Sequence, residues 1–203
     1  MGLFGLFGPS KEQIWSQVAH QVGGTFHDGG FFGRSRLDAS HGEWTITLDT
    51  YTKSSGNNQT TTYTRFRAPF VNADGFNFTI YRTGLFSGIG KMLGFQDIEV
   101  GFPQFDDSFV IKGNSPAKLR RLFSNATLRD LLQRQPAVHF EVRNDEGWFG
   151  TTFPDGVDEL YFQVTGVIRD PQLLRLVFDL FTETLEQLCR IGSAYEDDPG
   201  VHL

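Results

Sequence analysis

Cysteine is all but missing from this chain: Cys189 stands alone among 203 residues, so no disulfide can form within it. Small secreted scaffolds held together by disulfides are thereby excluded. Positive charge is also scarce, with 18 Lys and Arg against 24 Asp and Glu, a net charge of −6. General nucleic-acid binding needs clustered cations to neutralise phosphates, so that class of partner is set aside. No run approaches the roughly 18–20 apolar residues that a bilayer-spanning helix requires. The opening MGLFGLFG is apolar but too short for a secretory signal and has no charged lead. Leu6 stands where a myristoylation signal wants Ser or Thr. These absences lead to the expectation of a soluble, cytoplasmic protein.

Motifs for cofactors are lacking too. Gly84-Leu-Phe-Ser-Gly88-Ile-Gly90-Lys91-Met92 imitates a phosphate loop, but the run from Leu85 to Ile89 is one residue too long. Met92 also replaces the hydroxyl that would hold magnesium. The glycine spacing misses the dinucleotide fingerprint as well. There is no Gly-x-Ser-x-Gly elbow, no His-Glu-x-x-His helix, and no partner cysteine for Cys189. Neither metal nor cofactor is expected. Cys189, beside Leu188 in an apolar helical run, reads as a buried inert thiol.

What the chain has in abundance is phenylalanine, 21 copies. Each ring removes about 150–250 Å² from water when buried. Such a surplus suits a core, an apolar pocket or an aromatic docking patch.

Periodicity supplies the elements. Ser10 and Gln13 form a capping box for a short helix whose apolar stripe is Ile14, Trp15, Val18 and Val22, stopped by Gly23-Gly24. Thr25 to Gly33 reads as a short strand and turn. From Glu43 the period becomes two, with Trp44, Ile46 and Leu48 alternating with Thr45, Thr47 and Asp49. Thr60 to Phe70 and Gly75 to Arg82 continue an antiparallel meander, one face of which meets water. Phe105 to Lys112 reads as a strand, followed by helices from Ser115-Pro116 to Phe123 and from Asn125 to Arg134, with Ser124 as the second cap. Val138 to Val142, Trp148 to Phe153 and Leu160 to Ile168 read as closing strands. Asp170-Pro171 then opens a long helix to Ile191, with Leu173, Leu174, Val177, Leu180, Phe181, Leu185 and Leu188 on one stripe. The expected fold is α+β: an antiparallel sheet of about seven to eight strands packed by the long C-terminal helix, a short N-terminal helix and a central helix pair. Residues 1–203 are expected to make one domain, with a division into two lobes near 84–104 left open.

Candidate chemistry is sparse. His139, Glu141 and Arg143 project from one face of one strand, where a His and a carboxylate two residues apart can share a proton or a metal. The competing reading is a solvated strand face. Leu85, Phe86, Ile89, Met92 and Leu93 fall on one side if their segment is helical, with Lys91 reaching outward. That is an interaction surface of the kind that sits at a membrane interface, or else glycine-hinged cover for the sheet. Lys118, Arg120, Arg121, Arg129 and Arg134 make the helix pair locally basic, suited to an acidic partner or to intramolecular pairing.

One segment carries a resemblance. Phe105-Asp106-Asp-Ser-Phe109-Val-Ile111-Lys-Gly113-Asn114-Ser-Pro116-Ala-Lys-Leu-Arg120-Arg-Leu122-Phe-Ser124 resembles the motif F-D-x-x-F-x-V-x-S-N-x-P-x-x-x-R-x-L-x-T of an uncharacterised bacterial family, often membrane-associated. Ile111, Gly113 and Ser124 stand where that motif has Val, Ser and Thr, and the membrane-spanning helices of many members are lacking. The resemblance implies a shared C-terminal architecture and no activity. Phe105 and Phe109 would anchor a strand, Asn114 would turn the chain, Ser115 and Pro116 would start a helix, and Arg120 would meet Asp106.

The functional expectation is a non-catalytic binding or assembly module of a bacterial cytoplasm, peripheral membrane contact included. It would offer the long helix, or an aromatic patch on the sheet, to a protein partner. The alternative is a binder of a small apolar ligand in a Phe-lined cavity between sheet and long helix. A hydrolase-type enzyme stands third.

Overall fold

The protein is described by a computed structural model, which describes residues 8–30, 33–55, 59–84, 97–144, 153–201 and 203. Helix α1 (Lys11–Val22) begins at the expected capping box, Ser10 Oγ accepting from Gln13 N–H and the Gln13 side chain accepting from Ser10 N–H. It stops at Gly23, whose φ of 68° is the left-handed conformation glycine adopts without strain. The chain then runs through β1 (Thr25–His27), β2 (Arg36–His41), β3 (Trp44–Ser55), β4 (Gln59–Asn72) and β5 (Phe78–Arg82). After 97–102 come α2 (Pro103–Ser108), β6 (Phe109–Gly113), α3 (Pro116–Leu122) and α4 (Ala126–Gln133). The remainder is β7 (His139–Arg143), β8 (Val157–Thr165), α5 (Pro171–Arg190) and β9 (Ala194–Tyr195).

Among the described residues the strands form one antiparallel sheet in the order β1-β2-β3-β4-β8-β7-β5-β6, with β9 on the end of β4. The expected α+β architecture is therefore present. Sequence neighbours pair from β1 to β4. The second half instead threads β8 against β4 and closes on β6, bringing residues about a hundred positions apart into register.

One cluster of buried side chains runs from Ile14 to Ala194 and takes members from both sides of 84–104. Trp15 and Val18 of α1, Leu119 and Leu122 of α3, Leu128 and Leu132 of α4, and Leu174, Val177, Leu180, Phe181, Leu185 and Leu188 of α5 all lie in it, while Leu173 of the expected stripe is half-buried outside it. The helices thus share one face of the sheet. Asp170 caps α5 through Gln172 and Leu173 N–H, and at 20 residues α5 spans about 30 Å. Its Phe178 and Phe181 rings stand 5.0 and 6.0 Å from Phe66, and Phe181 stands 5.6 Å from Phe140. The apolar stripe of α5 is consumed inside the molecule, leaving Gln172, Arg175, Asp179 and Arg190 exposed.

Three local expectations need correction. Residues 105–108 are helical, not extended: Pro103 occupies the first helical turn. Asp106 folds back to accept from the N–H groups of Val100, Gly101 and Phe102 at 2.9, 3.0 and 2.9 Å. Phe105 therefore packs from a helix, its ring 4.7 Å from Phe109 and 5.4 Å from Phe123, and only Phe109 belongs to a strand. Asp106 does not meet Arg120, which is exposed, because its carboxylate is spent on that turn. Finally, α4 is capped by Asn125, which accepts from Leu128 N–H, while Ser124 Oγ donates to Arg121 C=O. The expected strand at 148–153 lies largely outside the described residues.

Candidate functional site

Successive side chains on a strand point to opposite faces, so each strand that buries one row beneath the helices presents a second row away from them. On β4, Phe66, Ala68 and Phe70 enter the core, and Tyr63, Arg65 and Arg67 face the other way. Register assembles the second rows. Asp49 lies opposite Arg65 and Thr47 opposite Arg67; Arg65 lies opposite Gln163 and Arg67 opposite Tyr161. Tyr161 lies opposite Glu141 and Glu159 opposite Arg143, and on β5 Thr79 and Tyr81 meet Glu141 and His139. A polar band crosses the sheet from β3 to β5.

Its contacts are specific. Arg65 forks onto Asp49, Nε to Oδ1 at 2.5 Å and Nη2 to Oδ2 at 2.9 Å, and Arg67 Nη2 donates to the same Oδ2 at 2.9 Å. Arg143 donates to Glu159 Oε2 from Nε at 2.8 Å and Nη2 at 2.7 Å, with its guanidinium 3.4 Å above the Tyr161 ring. Gln163 is the hub. Its Oε1 accepts from Tyr51 OH at 2.6 Å and from Tyr161 OH at 2.9 Å, and its amide nitrogen lies 3.3 Å from His139 Nδ1. His139 Nε2 is 3.2 Å from Glu141 Oε2, to which Thr79 Oγ1 donates at 3.4 Å. Tyr51 stacks on Tyr63 at 5.1 Å and lies under the Arg65 guanidinium.

The band is far from a solvated face: Glu159 is 0% exposed, Tyr161 3%, Arg67 6%, Asp49 7% and His139 9%. Charges at that depth cost several kcal/mol each unless paired. Here each carboxylate holds a cationic partner or a histidine. Burial pushes the Glu141 carboxyl up, but the hydrogen bond and charge of His139, with Arg143 and Thr79, outweigh it and hold Glu141 below its ordinary value. Burial, reinforced by Tyr51, drives the Tyr161 phenol well above its ordinary value against the pull of Arg143. Tyr161 is therefore a fixed neutral donor.

Of the residues anticipated from sequence, His139 and Glu141 are brought together, whereas Arg143 turns to Glu159 of β8. Asp49, Arg65, Arg67, Glu159, Tyr161 and Gln163 were not anticipated; they alternate with apolar neighbours, but their convergence depends on long-range register. Leu85, Phe86, Ile89, Met92 and Leu93 lie outside the described residues. In the motif segment, Asn114 Oδ1 accepts from Asn77 N–H at 3.1 Å and Nδ2 donates to Gly75 C=O at 2.7 Å, and Pro116 opens α3 after the Ser115 cap. Lys118 pairs with Asp74, and Arg134 with Asp130 at 2.8 Å; Arg120 and Arg121 are exposed. Cys189 is half-buried, its thiol pushed up by burial and by Glu196 and Glu186, which leaves it a poor nucleophile.

Among the described residues, no group of three or more His, Cys, Asp or Glu is arranged to hold a metal ion, and no helix is long and apolar enough to cross a membrane. The chain matches no protein-family model, no curated protein and no solved structure.

Proposed function

We propose that the chain is a binding module of a bacterial cytoplasm that recognises a protein partner through the half-buried Tyr and Arg side chains on the sheet face opposite the described helices. The observation that carries this reading is the segregation of aromatic residues between the two faces. Phe66, Phe70, Phe78, Phe109, Phe140 and Phe162 of the strands all join the core under the helices. Tyr51, Tyr63 and Tyr81, of the 5 tyrosines in the chain, stand half-buried on the opposite face with Arg65 and Arg143, beside the buried Tyr161 and Arg67. Tyr and Arg are the residues enriched at interface centres and hot spots, because each combines a broad apolar body with directional donors. The network around Gln163 holds them in place, so little ordering entropy is left to lose on association.

Stability alone does not call for such a band, since well-packed apolar residues often replace buried ion pairs at no loss. Binding is favoured over proton-transfer chemistry because His139 is itself buried, its ring packed within 3.2 Å of Glu141 and 3.3 Å of Gln163. It is favoured over an apolar ligand beneath α5 because the rings of Phe66, Phe140, Phe178 and Phe181 occupy that space at separations of 5.0–6.0 Å.

A photo-crosslinking amino acid placed at half-buried Tyr63 in the source cells tests the reading, with exposed Arg175 of α5 as the control position. A discrete protein adduct is expected from position 63 and none from position 175. No adduct at 63, or the same adduct from both, overturns it.

A further inference from the structure

A second site lies on the helix side, away from the tyrosine face. Helices α2 and α4 bound a groove of about 480 Å³ that is open to solvent. Phe102, Pro103, Phe105 and Ala126 give it an apolar floor, and Arg129 and Gln133 stand on its wall. Both sides are pinned. Asp106 fixes the backbone entering α2 through three N–H groups. Asn125 caps α4 and is tied to Glu183 and Gln187 of α5. A groove whose walls are set before a ligand arrives saves the ordering cost of binding.

Its electrostatics are one-sided. Asp130, the carboxylate on the wall, is taken by Arg134 at 2.8 Å. Arg129 has no carboxylate among the described residues. Its guanidinium lies 3.5 Å over the Phe102 ring and donates to Phe123 C=O. A guanidinium carries five N–H donors and forks naturally onto a carboxylate. Half-buried, stacked and without a counter-ion, Arg129 makes this apolar groove selective for negative charge.

We infer that the groove docks a segment of a partner protein in which a Phe or Leu side chain is followed by Asp or Glu. The apolar side chain lies on Phe102, Pro103 and Ala126, and the carboxylate reaches Arg129. An open trough suits a segment of chain, whose backbone continues into solvent at either end; enclosed cavities suit free small molecules.

The test uses the full chain and an array of fluorescein-labelled heptapeptides carrying Phe-Asp, Phe-Glu, Leu-Asp or Leu-Glu, each paired with its Asn or Gln twin. Fluorescence anisotropy should show saturable binding of acidic members and affinity lower by about tenfold or more for their amide twins, the value of a charge-assisted hydrogen bond. Ala126→Trp and Gln133→Trp, at exposed positions that fill the groove, should each abolish binding with the helical circular-dichroism spectrum unchanged. Arg129→Lys, which keeps the charge but loses the fork, should weaken it partially. The inference is overturned if no acidic peptide binds, if acid and amide twins bind alike, or if both groove-filling variants bind as the parent does. Tyr63→Ala leaves the groove untouched, so this site and the sheet-face reading stand or fall separately.

Discussion

Single atoms decide much of this molecule's organisation. A phenolic oxygen separates the strand tyrosines from the strand phenylalanines, and with it the polar face from the apolar one, because a buried hydroxyl must find a partner. Tyr51 and Tyr161 find theirs in Gln163, at sequence separations of 112 and 2. Glu141 is the titratable member of the network whose behaviour can be followed. Its carboxyl lies below the ordinary value of 4.5, since His139 outweighs the penalty of burial. A depressed carboxylate binds its proton more readily in the unfolded chain, so the stability it contributes is complete above about pH 4.5 and is lost as pH falls through the lower folded value. Glu141→Gln is therefore expected to lower the urea midpoint at neutral pH, with the gap to the parent closing as pH falls below the ordinary carboxyl value of 4.5. Denaturation series across that range measure it; a gap that stays constant with pH would show that the His139–Glu141 coupling contributes no proton linkage.

Elements with local signals were legible, and those defined by distant contacts were not. The capping box and stripe of α1, and the Asp170-Pro171 start and stripe of α5, are written within a few turns of sequence, and both helices stand where periodicity puts them. Alternation likewise exposed β3 and β7, the strand of His139, Glu141 and Arg143. The misreading of 105–108 has a definite cause: Phe105 and Phe109 sit four residues apart, a spacing that a strand and a helix both accommodate, and the arbiter is an Asp106 turn visible only in three dimensions. The polar band was legible only as His139, Glu141 and Arg143, because the side chains that complete it arrive on β3, β4 and β8 through register that no local pattern encodes. Gly113 shows the same dependence. It stands where the resembled motif has Ser, and a Cβ built there would meet Asn77 C=O at 2.7 Å and Leu119 Cδ1 at 3.1 Å. In this chain the backbone of the β5 approach occupies the space a serine needs. Gly113→Ser should destabilise by about 1–3 kcal/mol, the usual cost of overpacking. Equilibrium unfolding reads this directly, and a neutral result would mean that Asn77 and α3 yield without cost.

At the level of the whole molecule, a cluster of rings helps to hold the two halves of the sheet together. Phe181 of α5 lies 6.0 Å from Phe66 on β4 and 5.6 Å from Phe140 on β7, and Phe162 of β8 lies 6.1 Å from the first and 6.4 Å from the second. Phe66 and Phe140 are both 0% exposed, and they fall on opposite sides of 84–104 in sequence. Since the β4–β8 ladder and this ring cluster join the halves, neither half can shed its core residues without unfolding surfaces that belong to the other. Truncating either ring should cost about 3–5 kcal/mol, as buried Phe→Ala changes do. At this chain length each kcal/mol lowers Tm by about 2–4 °C. Calorimetry of Phe66→Ala and Phe140→Ala should therefore show one transition in each variant, displaced as a whole and by similar amounts. Were the segments before 84 and after 104 independent bodies, Phe66→Ala would shift one transition and leave a second at the parent temperature. The polar band would then be a contact between bodies rather than one preorganised surface, and the sheet-face recognition would lose its rigid support.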